Sequence, residues 1–182
     1  MYRLFRTSRN INNVIQKRTI YHMAIGNHTE NIIERKDYSI DKCKNTLEDE
    51  VISVLGYGPQ GKSQALYLKD NGFNVQLGLR KGNSWNEAIK DGWVENKNLF
   101  TIEEAAKSGT IIKYLLSDVG QIENWPSIKK NLTTNKTLYF SHGFGITYND
   151  LTNINPPKDI DVILVAPKGA GMTVRNHFKE GR

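Results

Sequence analysis

A glycine-rich turn between an apolar strand and a helix is the part of this sequence with the clearest chemical meaning. Residues 51–55 form a short, mostly apolar run rich in β-branched side chains, as in a strand buried on both faces of a parallel sheet. The run leads directly into Gly56-Tyr57-Gly58-Pro59-Gln60-Gly61. Glycines at this spacing permit a tight turn, a close approach of backbone to a pyrophosphate, and close packing of helix on strand. The segment therefore predicts a dinucleotide-phosphate loop, with a helix N-terminus facing the anion.

The same pattern also occurs in strand-turn-helix units that bind no ligand, so the neighbouring residues matter. Pro59 falls at the start of the predicted helix, where its missing amide proton costs little. Leu66 and Leu68 contribute an apolar stripe, and Asn71-Gly72 is a typical C-terminal stop. These features favour the dinucleotide loop, and a plain strand-turn-helix unit stays the alternative.

The end of the second predicted strand, residues 74–79, indicates which dinucleotide would bind. NAD-binding units commonly carry Asp or Glu there, and the carboxylate accepts hydrogen bonds from the ribose hydroxyls. This chain has Arg80, Lys81 and Ser84 instead. A guanidinium, an ammonium and a hydroxyl suit a phosphate, so the sequence predicts NADP(H) rather than NAD(H). An ordinary solvated turn is the other interpretation of the two cations.

The positive charge of the chain is concentrated at its N-terminus. The 182 residues carry a net charge of +6, with 25 Lys and Arg against 19 Asp and Glu. Five of those basic residues lie within residues 1–29, which contain no acid, so 20 basic residues remain against 19 acidic ones. Because the rest of the chain, residues 30–182, is nearly neutral and lacks a clustered basic surface, no nucleic-acid partner is expected. No apolar stretch approaches transmembrane length, so no membrane partner is expected, and the single cysteine, Cys43, excludes an internal disulfide.

The acid-free start is typical of a mitochondrial presequence. Leu4, Ile11 and Ile15 fall on one side of a helix whose other positions are mostly Arg, Ser, Thr and Asn. We expect residues 1–21 to be a presequence of a protein of the mitochondrial matrix, and a disordered basic tail is the alternative. Residues 22–48 are polar with little periodicity and are expected to form a linker or arm.

Residues 49–182 are predicted to form one α/β domain, a Rossmann-like doubly wound parallel sheet with helices on both faces. Apolar strand candidates alternate with helical candidates, as in this class of fold. The strand candidates are residues 51–55, 74–79, 110–116, 136–141 and 161–166. The helical candidates are residues 61–71, 85–91, 102–107, 121–132 and 172–180.

Ligands of such sheets bind outside the carboxyl ends of the strands, so the residues that follow the strands are candidate site residues. After the third, fourth and fifth strand candidates these are Ser117, Asp118, Gln121, His142, Lys168 and Gly171. A histidine can hold a water molecule and pass a proton near neutral pH, and a lysine can stabilise a developing oxyanion. On position alone, His142 is as readily structural, Lys168 is commonly just solvated, and Asp118 more readily caps the following helix.

Five motifs in series resemble the N-terminal NADPH-binding domain of ketol-acid reductoisomerase, also called acetohydroxy-acid isomeroreductase, in its mitochondrial fungal-like form. The motifs are GYGPQG, LRKGNSW, LLSDVGQ, LYFSHGF and VAPKGAGMTVR, and the resemblance covers roughly residues 48–182. It implies an NADPH-dependent enzyme of branched-chain amino-acid biosynthesis. Such an enzyme converts an acetohydroxy acid, such as 2-acetolactate, to a dihydroxy acid, here 2,3-dihydroxyisovalerate, by Mg²⁺-dependent alkyl migration and hydride reduction.

The resemblance also implies roles for individual residues. Arg80 and Ser84 would meet the 2′-phosphate, and His142 and Lys168 would be the catalytic pair. The coenzyme-binding set would be Gly56, Tyr57, Gly58, Pro59, Gln60, Gly61, Arg80, Ser84, Ser117, Asp118, Gln121 and Gly171.

The helical C-terminal domain of the family, which supplies the carboxylate ligands for magnesium, is absent from this sequence. No metal site is therefore predicted here, and this chain alone is expected not to catalyse the full reaction. A homo-oligomer would form through the missing half. Two alternatives stay open: a stand-alone, non-catalytic NADP-binding module, and a different NADP-dependent dehydrogenase that works without a metal. Lys113 also departs from the expected pattern. It interrupts an otherwise apolar strand, in which an unpaired buried ammonium is costly.

Overall fold

The structure, a computed structural model, describes residues 21–180. The chain divides into two compact units, one up to Cys43 and the other from Lys44 onward. The predicted presequence, residues 1–21, lies outside the described residues except for Tyr21, so it stays a prediction.

The first unit has secondary structure in the segment predicted to be a linker or arm. Strands β1 (Tyr21–Ile25) and β2 (His28–Ile32) pair antiparallel as a hairpin. A 3₁₀ turn at Arg35–Asp37 and helix α1 (Ile40–Thr46) follow. Both strands are exposed along almost their whole length. Strand β2 is polar except for Ile32 and lacks the alternation of apolar and polar residues that identifies a half-buried strand, and the hairpin was not predicted.

The second unit is built on a six-stranded parallel sheet. Its strands are β3 (Ile52–Leu55), β4 (Val75–Gly78), β5 (Leu99–Phe100), β6 (Ile111–Tyr114), β7 (Thr137–Phe140) and β8 (Asp161–Leu164). Across the sheet the order is β5-β4-β3-β6-β7-β8, and all neighbours are parallel. From β3 the chain adds β4 and β5 toward one edge of the sheet. It then returns to the other side of β3 and adds β6, β7 and β8 toward the opposite edge. The predicted doubly wound sheet is confirmed.

The helices of this unit are α2 (Pro59–Asp70), α3 (Asn83–Lys90), α4 (Ile102–Ser108), α5 (Asp118–Lys130), α6 (Phe144–Thr147), α7 (Asn149–Thr152) and α8 (Gly171–Lys179). Helices α2, α3 and α5 begin earlier than predicted, and the earlier starts bring residues of the candidate site into first helical turns. Strand β5 and helices α6 and α7 were not predicted. Elements of two or four residues are too short to show a hydrophobic period.

Each face of the sheet carries its own core. Side chains of α2 and α3 pack with Val54 and Leu77 on one face. Side chains of α4 and α5 pack with Leu55 and Tyr114 on the other. With both faces covered, the ends of β3, β4 and β6 are held firmly, and these are the strand ends from which the candidate site is built.

Lys113 lies within β6 with its ammonium over an aromatic ring. In the sheet register it stands between Val54 of β3 and Tyr139 of β7, and its Nζ lies 3.9 Å from the centroid of the Tyr139 ring. Burial disfavours the charged form and lowers the pKa of Lys113 from 10.5 to about 8. The contact with the ring offsets part of the cost of burying the charge.

We expect Lys113→Met to raise the free energy of unfolding by about 2 kcal/mol at pH 7, because methionine fills a similar volume without a buried ammonium. An unfolded lysine has its pKa at 10.5, so between about pH 8 and pH 10.5 the unfolded wild-type chain binds more protons than the folded one. Wild-type stability therefore rises through that window, and the advantage of the Met variant shrinks. Urea unfolding at pH 7 and pH 10 measures both effects.

Lys97→Met is the matched control, because Lys97 is exposed and its removal should change stability by less than about 0.5 kcal/mol. An advantage of Lys113→Met that is equally large at pH 10 would contradict the electrostatic explanation and leave packing alone as its cause.

Candidate functional site

The glycine-rich loop lies in the crevice where the strand order of the sheet reverses. Gly56 follows β3 with a φ of +105°, and a Cβ atom there would lie 2.6 Å from the carbonyl oxygen of Leu115, at the end of β6. A Cβ at Gly61 would lie 2.3 Å from the carbonyl oxygen of Gly56. Both positions require glycine for the fold itself, because no side chain fits there. They hold the loop at the reversal point, which is where ligands bind in such sheets.

Gly58 differs from these two glycines. It is the N-cap residue of α2, with an ordinary φ of −72°, and no side chain caps the helix there. A Cβ built on Gly58 would have no atom of the protein within 4 Å. The space beside Gly58, in front of the first turn of α2, is therefore open. The fold does not explain the glycine at this position, and a ligand lying against the loop would.

A cavity of about 410 Å³ extends from the glycine loop to the start of α3. Its apolar walls come from Leu79, Ile102 and Leu116, which suit the faces of a nucleotide base. The remaining lining residues are Gly56, Tyr57, Arg80, Lys81, Gly82, Asn83 and Ser84. None of these ten residues is acidic, and two are cationic.

The far end of the cavity is a second helix N-terminus without a side-chain cap. Gly82 is the N-cap of α3, with a φ of +146° that only glycine adopts readily, and no side chain bonds to the first turn. Helices α4 and α5 are capped instead by the hydroxyls of Thr101 and Ser117. Ser84, predicted to meet a 2′-phosphate, lies in the first turn of α3 and lines the cavity. An anion could therefore bind to the amides of α3 as well as to those of α2.

Arg80 and Lys81 lie at the rim of this cavity and differ in their partners. The Arg80 side chain is 72% exposed, and its Nη1 atom lies 3.7 Å from the Oε2 atom of Glu123. The Lys81 ammonium forms an ion pair with Glu95 and stacks 3.8 Å from the centroid of the Trp85 ring. Arg80 is therefore the better placed of the two cations to turn toward an anion, because its exposed ion pair is weak.

A second group of predicted residues gathers at the carboxyl ends of β6, β7 and β8. The Nε2 atom of His142, after β7, lies 3.4 Å from the Oδ1 atom of Asp118, after β6. Lys168 follows β8 and is exposed. Asp118 does not cap α5, contrary to the expectation from position alone: the Ser117 hydroxyl accepts the capping hydrogen bond from the Gly120 amide at 3.2 Å. The Asp118 carboxylate is thereby left to face the imidazole.

Three of the predicted coenzyme residues make structural contacts, and two of them, Gln121 and Gly171, are buried. The Gln121 side chain is 1% exposed, and its Nε2 donates to the carbonyls of Tyr114 and Leu116 at 3.3 and 3.1 Å. This side chain secures the end of β6 and does not line the cavity, contrary to the prediction. Ser117 is occupied as the cap of α5. A Cβ on Gly171, the first residue of α8, would lie 2.3 Å from the carbonyl oxygen of Pro59, so glycine is needed where α8 meets α2.

Gln60 connects the phosphate loop to the segment after β8. Its Nε2 donates to the carbonyl oxygen of Gly169 at 3.1 Å, and its Oε1 accepts from Gln64. The segment that carries Lys168 is thereby held next to the start of α2.

Sequence reasoning missed part of the cavity wall. It assigned no role to Ile102, because β5, the strand that precedes it, was not recognised. Gly82 was visible as a break in a run of polar residues, but its positive φ and its place as the cap of α3 depend on where the helix begins.

Together these features fit a phosphorylated dinucleotide. The cavity extends from Gly56 and Tyr57, in the loop before α2, to the uncapped N-terminus of α3. Its rim is cationic, and the space in front of Gly58, the N-cap of α2, is open. Phosphate groups bind to such amide-rich helix starts, and a guanidinium adds a planar fork of donors.

Within residues 21–180, no set of three or more His, Cys, Asp or Glu side chains is grouped so that it could hold a metal ion. No helix in that range is long and apolar enough to cross a membrane.

Comparison with known proteins connects this site to one family. Residues 46–182 match the family described as "Acetohydroxy acid isomeroreductase, NADPH-binding domain". The chain is 57% identical over 157 residues to a "Ketol-acid reductoisomerase (NAD(+))" of Desulfosudis oleivorans, covering 86% of this chain and 45% of that protein. It is 52% identical over 170 residues to "Ketol-acid reductoisomerase, mitochondrial" of Saccharomyces cerevisiae, covering 93% and 43%.

A solved structure shares the same architecture. It is an NADH-preferring ketol-acid reductoisomerase from an uncultured archaeon, with a TM-score of 0.69 and 39% identity over 80% of this chain and 43% of that one. The chain therefore spans less than half the length of the relatives it matches. The resemblance found in the five motifs is confirmed: the chain belongs to the acetohydroxy acid isomeroreductase family and contains the NADPH-binding domain of that family.

Proposed function

We propose that this chain is the coenzyme-binding part of a ketol-acid reductoisomerase and that it binds NADPH. The observation that carries the proposal is the cavity that extends from Gly56 and Tyr57, in the loop before α2, to the uncapped N-terminus of α3. The pyrophosphate would lie on the first turn of α2, in front of Gly58. The adenine would lie between Ile102 and Leu116, and the 2′-phosphate would lie at the start of α3 beside Arg80 and Ser84.

NADPH is proposed over NADH because no carboxylate lines the cavity at the ribose end. An acidic side chain there would accept hydrogen bonds from free ribose hydroxyls and repel a 2′-phosphate. The Desulfosudis relative is named for NAD(+), so members of the family differ in this preference. The preference of this chain is therefore assigned to its own residues Arg80 and Ser84.

The residues at the ends of β6, β7 and β8 are proposed to serve the chemistry. NADPH would supply the hydride and Mg²⁺ the Lewis acid for a 2-acetolactate substrate. His142, oriented by the Asp118 carboxylate, would hold a water molecule and exchange a proton with it. Lys168 would place its ammonium near a developing negative charge on the substrate.

The rest of the catalytic machinery is proposed to lie in polypeptide that the longer relatives have beyond the matched part. The last three residues of strand β8 and the residue after it are apolar, yet Val162, Ile163, Leu164 and Val165 are 40 to 58% exposed. A contiguous apolar strip of this kind marks a contact surface. We propose that the second half of a reductoisomerase covers this edge and supplies the metal ligands, since no metal-binding cluster is found in residues 21–180.

The proposal is tested by following NADPH consumption with 2-acetolactate and Mg²⁺. We expect tight NADPH binding by this chain in calorimetry but no turnover by the chain alone. Turnover should appear when the C-terminal part of the Saccharomyces relative is supplied. The variant His142→Gln tests the proposed catalytic role of the histidine. It should lower turnover by about 100-fold in the combined preparation and leave NADPH affinity within about twofold.

A non-catalytic NADP-binding module is the second candidate, because the coenzyme cavity is lined by residues of this chain without a metal ion or a further domain. It predicts NADPH binding without turnover, whatever is added. Turnover by the chain alone, or without Mg²⁺, would instead identify a different dehydrogenase. Lack of NADPH binding would refute all three functions.

We also propose a mitochondrial matrix location. The acid-free start supports it, and the Saccharomyces relative is named mitochondrial. A fluorescent fusion of the full chain should enter mitochondria, and a fusion that begins at Tyr21 should not.

A further inference from the structure

Tyr57 belongs to the glycine-rich loop, yet its hydroxyl is directed into the protein. The residue is 5% exposed. Its hydroxyl donates a hydrogen bond to the Oδ2 atom of Asp91 at 2.8 Å and accepts one from the Nε1 atom of Trp93 at 3.0 Å. Asp91 is the C-cap of α3, and the buried Trp93 follows it. A residue of the loop is therefore bonded to the far end of the helix that begins at the ribose end of the cavity.

Lys62 of α2 completes the same network. Its ammonium lies 2.8 Å from the Oδ2 atom of Asp91 and 2.6 Å from the Oε1 atom of Glu87. Two residues of α3 are thus bonded to α2, one turn apart. Burial disfavours the charged Asp91, but the hydrogen bonds from Lys62 and Tyr57 outweigh it and hold the pKa of this carboxyl below its ordinary value. The carboxylate stays ionised at neutral pH and keeps both donors.

The network joins α3, whose N-terminus lines the cavity, to α2, which begins two residues after Tyr57 of the cavity wall. Helix α2 begins at the pyrophosphate end, and α3 begins at the ribose end with Arg80, Gly82 and Ser84 around its first turn. Both helices are short and regular, so fixing the body of α3 against α2 and the loop also fixes the distance between their starts. The Tyr57 hydroxyl is satisfied as donor and as acceptor in a buried place, where losing either bond is costly.

We propose that the Tyr57 hydroxyl is a positioning group that sets the separation of the pyrophosphate and 2′-phosphate subsites, and through it the preference for a 2′-phosphorylated coenzyme. The inference rests on the proposed function, because it needs the cavity to bind NADPH. Tyr57 itself need not touch the coenzyme with its side chain. The buried hydrogen bonds of Tyr57 hold the N-termini of α2 and α3 at the separation at which one dinucleotide can contact both.

The test compares Tyr57→Phe with the wild-type chain in calorimetric titrations with NADPH and with NADH. Phenylalanine keeps the ring and removes the hydroxyl. We expect NADPH affinity to fall about tenfold and NADH affinity less than about threefold, because only NADPH must engage both subsites. Tyr148→Phe is the matched control, since it removes an exposed hydroxyl away from the cavity and should leave both affinities unchanged.

A second variant separates positioning from simple stabilisation. Trp93→Phe removes the other partner of the hydroxyl and should shift the NADPH to NADH ratio in the same direction. The double variant should shift it no further than Tyr57→Phe does, since both act through one network. If Tyr57→Phe does not fold, Trp93→Phe alone carries the same expectation.

Equal losses for the two coenzymes, with a lower melting temperature, would mean that Tyr57 only stabilises the fold and would overturn the inference. So would an unchanged ratio in folded variants. If the wild-type chain binds NADPH and the ratio does not move, the proposed function stands and this inference alone falls. If the wild-type chain binds no NADPH, both fall.

Discussion

Replacing Arg80 with aspartate is expected to lower NADPH affinity by about 30- to 100-fold and to change NADH affinity by less than about threefold. The guanidinium lies at the ribose end of the cavity, and its ion pair with Glu123 is a 3.7 Å contact between exposed side chains. A ligand phosphate can displace so weak a partner. Aspartate removes the favourable contact and adds repulsion toward the 2′-phosphate, whereas the free ribose hydroxyls of NADH can donate to it.

Calorimetric titration of each coenzyme at two salt concentrations measures this effect. The wild-type preference for NADPH should weaken at high salt, because an exposed charge contact is screened. Lys97→Asp makes the same change of charge at an exposed lysine outside the cavity and should alter neither affinity. Equal losses for NADPH and NADH in Arg80→Asp would refute the assignment of this residue to the 2′-phosphate.

Much of the fold was predictable because its signals are local. The five longer strands are apolar runs separated by helical stripes, and alternation of that kind leads to a doubly wound sheet. The sheet in turn fixes the site, since residues such as Asp118, His142 and Lys168 follow neighbouring strands and must lie at one edge. Strand β5 is different. It has two residues, and its position follows from pairing with β4 and not from any pattern of its own.

The candidate site was predictable where a backbone requirement shows as a residue type. Gly56 and Gly61 are such cases, because the crevice leaves no room for a side chain. Side-chain partners were not predictable. Nothing in the spacing of Tyr57, Asp91 and Trp93 indicates that they meet, because their contacts are made by the packing of α3 beside α2.

The predictions for Gln121 and Asp118 were wrong because both depend on the residue at which α5 begins. Gln121 was expected to face the coenzyme because it follows a strand, but its helix begins at Asp118, and the Gln121 side chain turns inward to the carbonyls at the end of β6. Ser117 and Asp118 are both good capping residues, and sequence alone cannot say which of two adjacent residues is the N-cap. A difference of one helical position therefore decides which side chain faces the imidazole of His142.

Gly58→Val is expected to abolish binding of both NADPH and NADH, with at least a 100-fold loss of affinity for each, in a chain that still folds. The backbone of Gly58, at φ −72° and ψ −174°, lies in the extended region that valine prefers, and the added side chain would meet no protein atom within 4 Å of its Cβ. The melting temperature should therefore fall by only a few degrees, as for a modest loss at a helix N-cap. The branched side chain would instead fill the space that the pyrophosphate needs.

Gly61→Val is the comparison variant, because it places the same side chain at a glycine that the fold itself requires. A Cβ at Gly61 would lie 2.3 Å from the carbonyl oxygen of Gly56, so that variant should lose the fold and show no cooperative thermal transition. Circular dichroism and calorimetry on the two variants separate a glycine required by the protein from a glycine required by its ligand. If Gly58→Val folds and still binds both coenzymes, the phosphates do not lie on the first turn of α2. The proposed binding mode would then be wrong, because the open space before that turn is its main support.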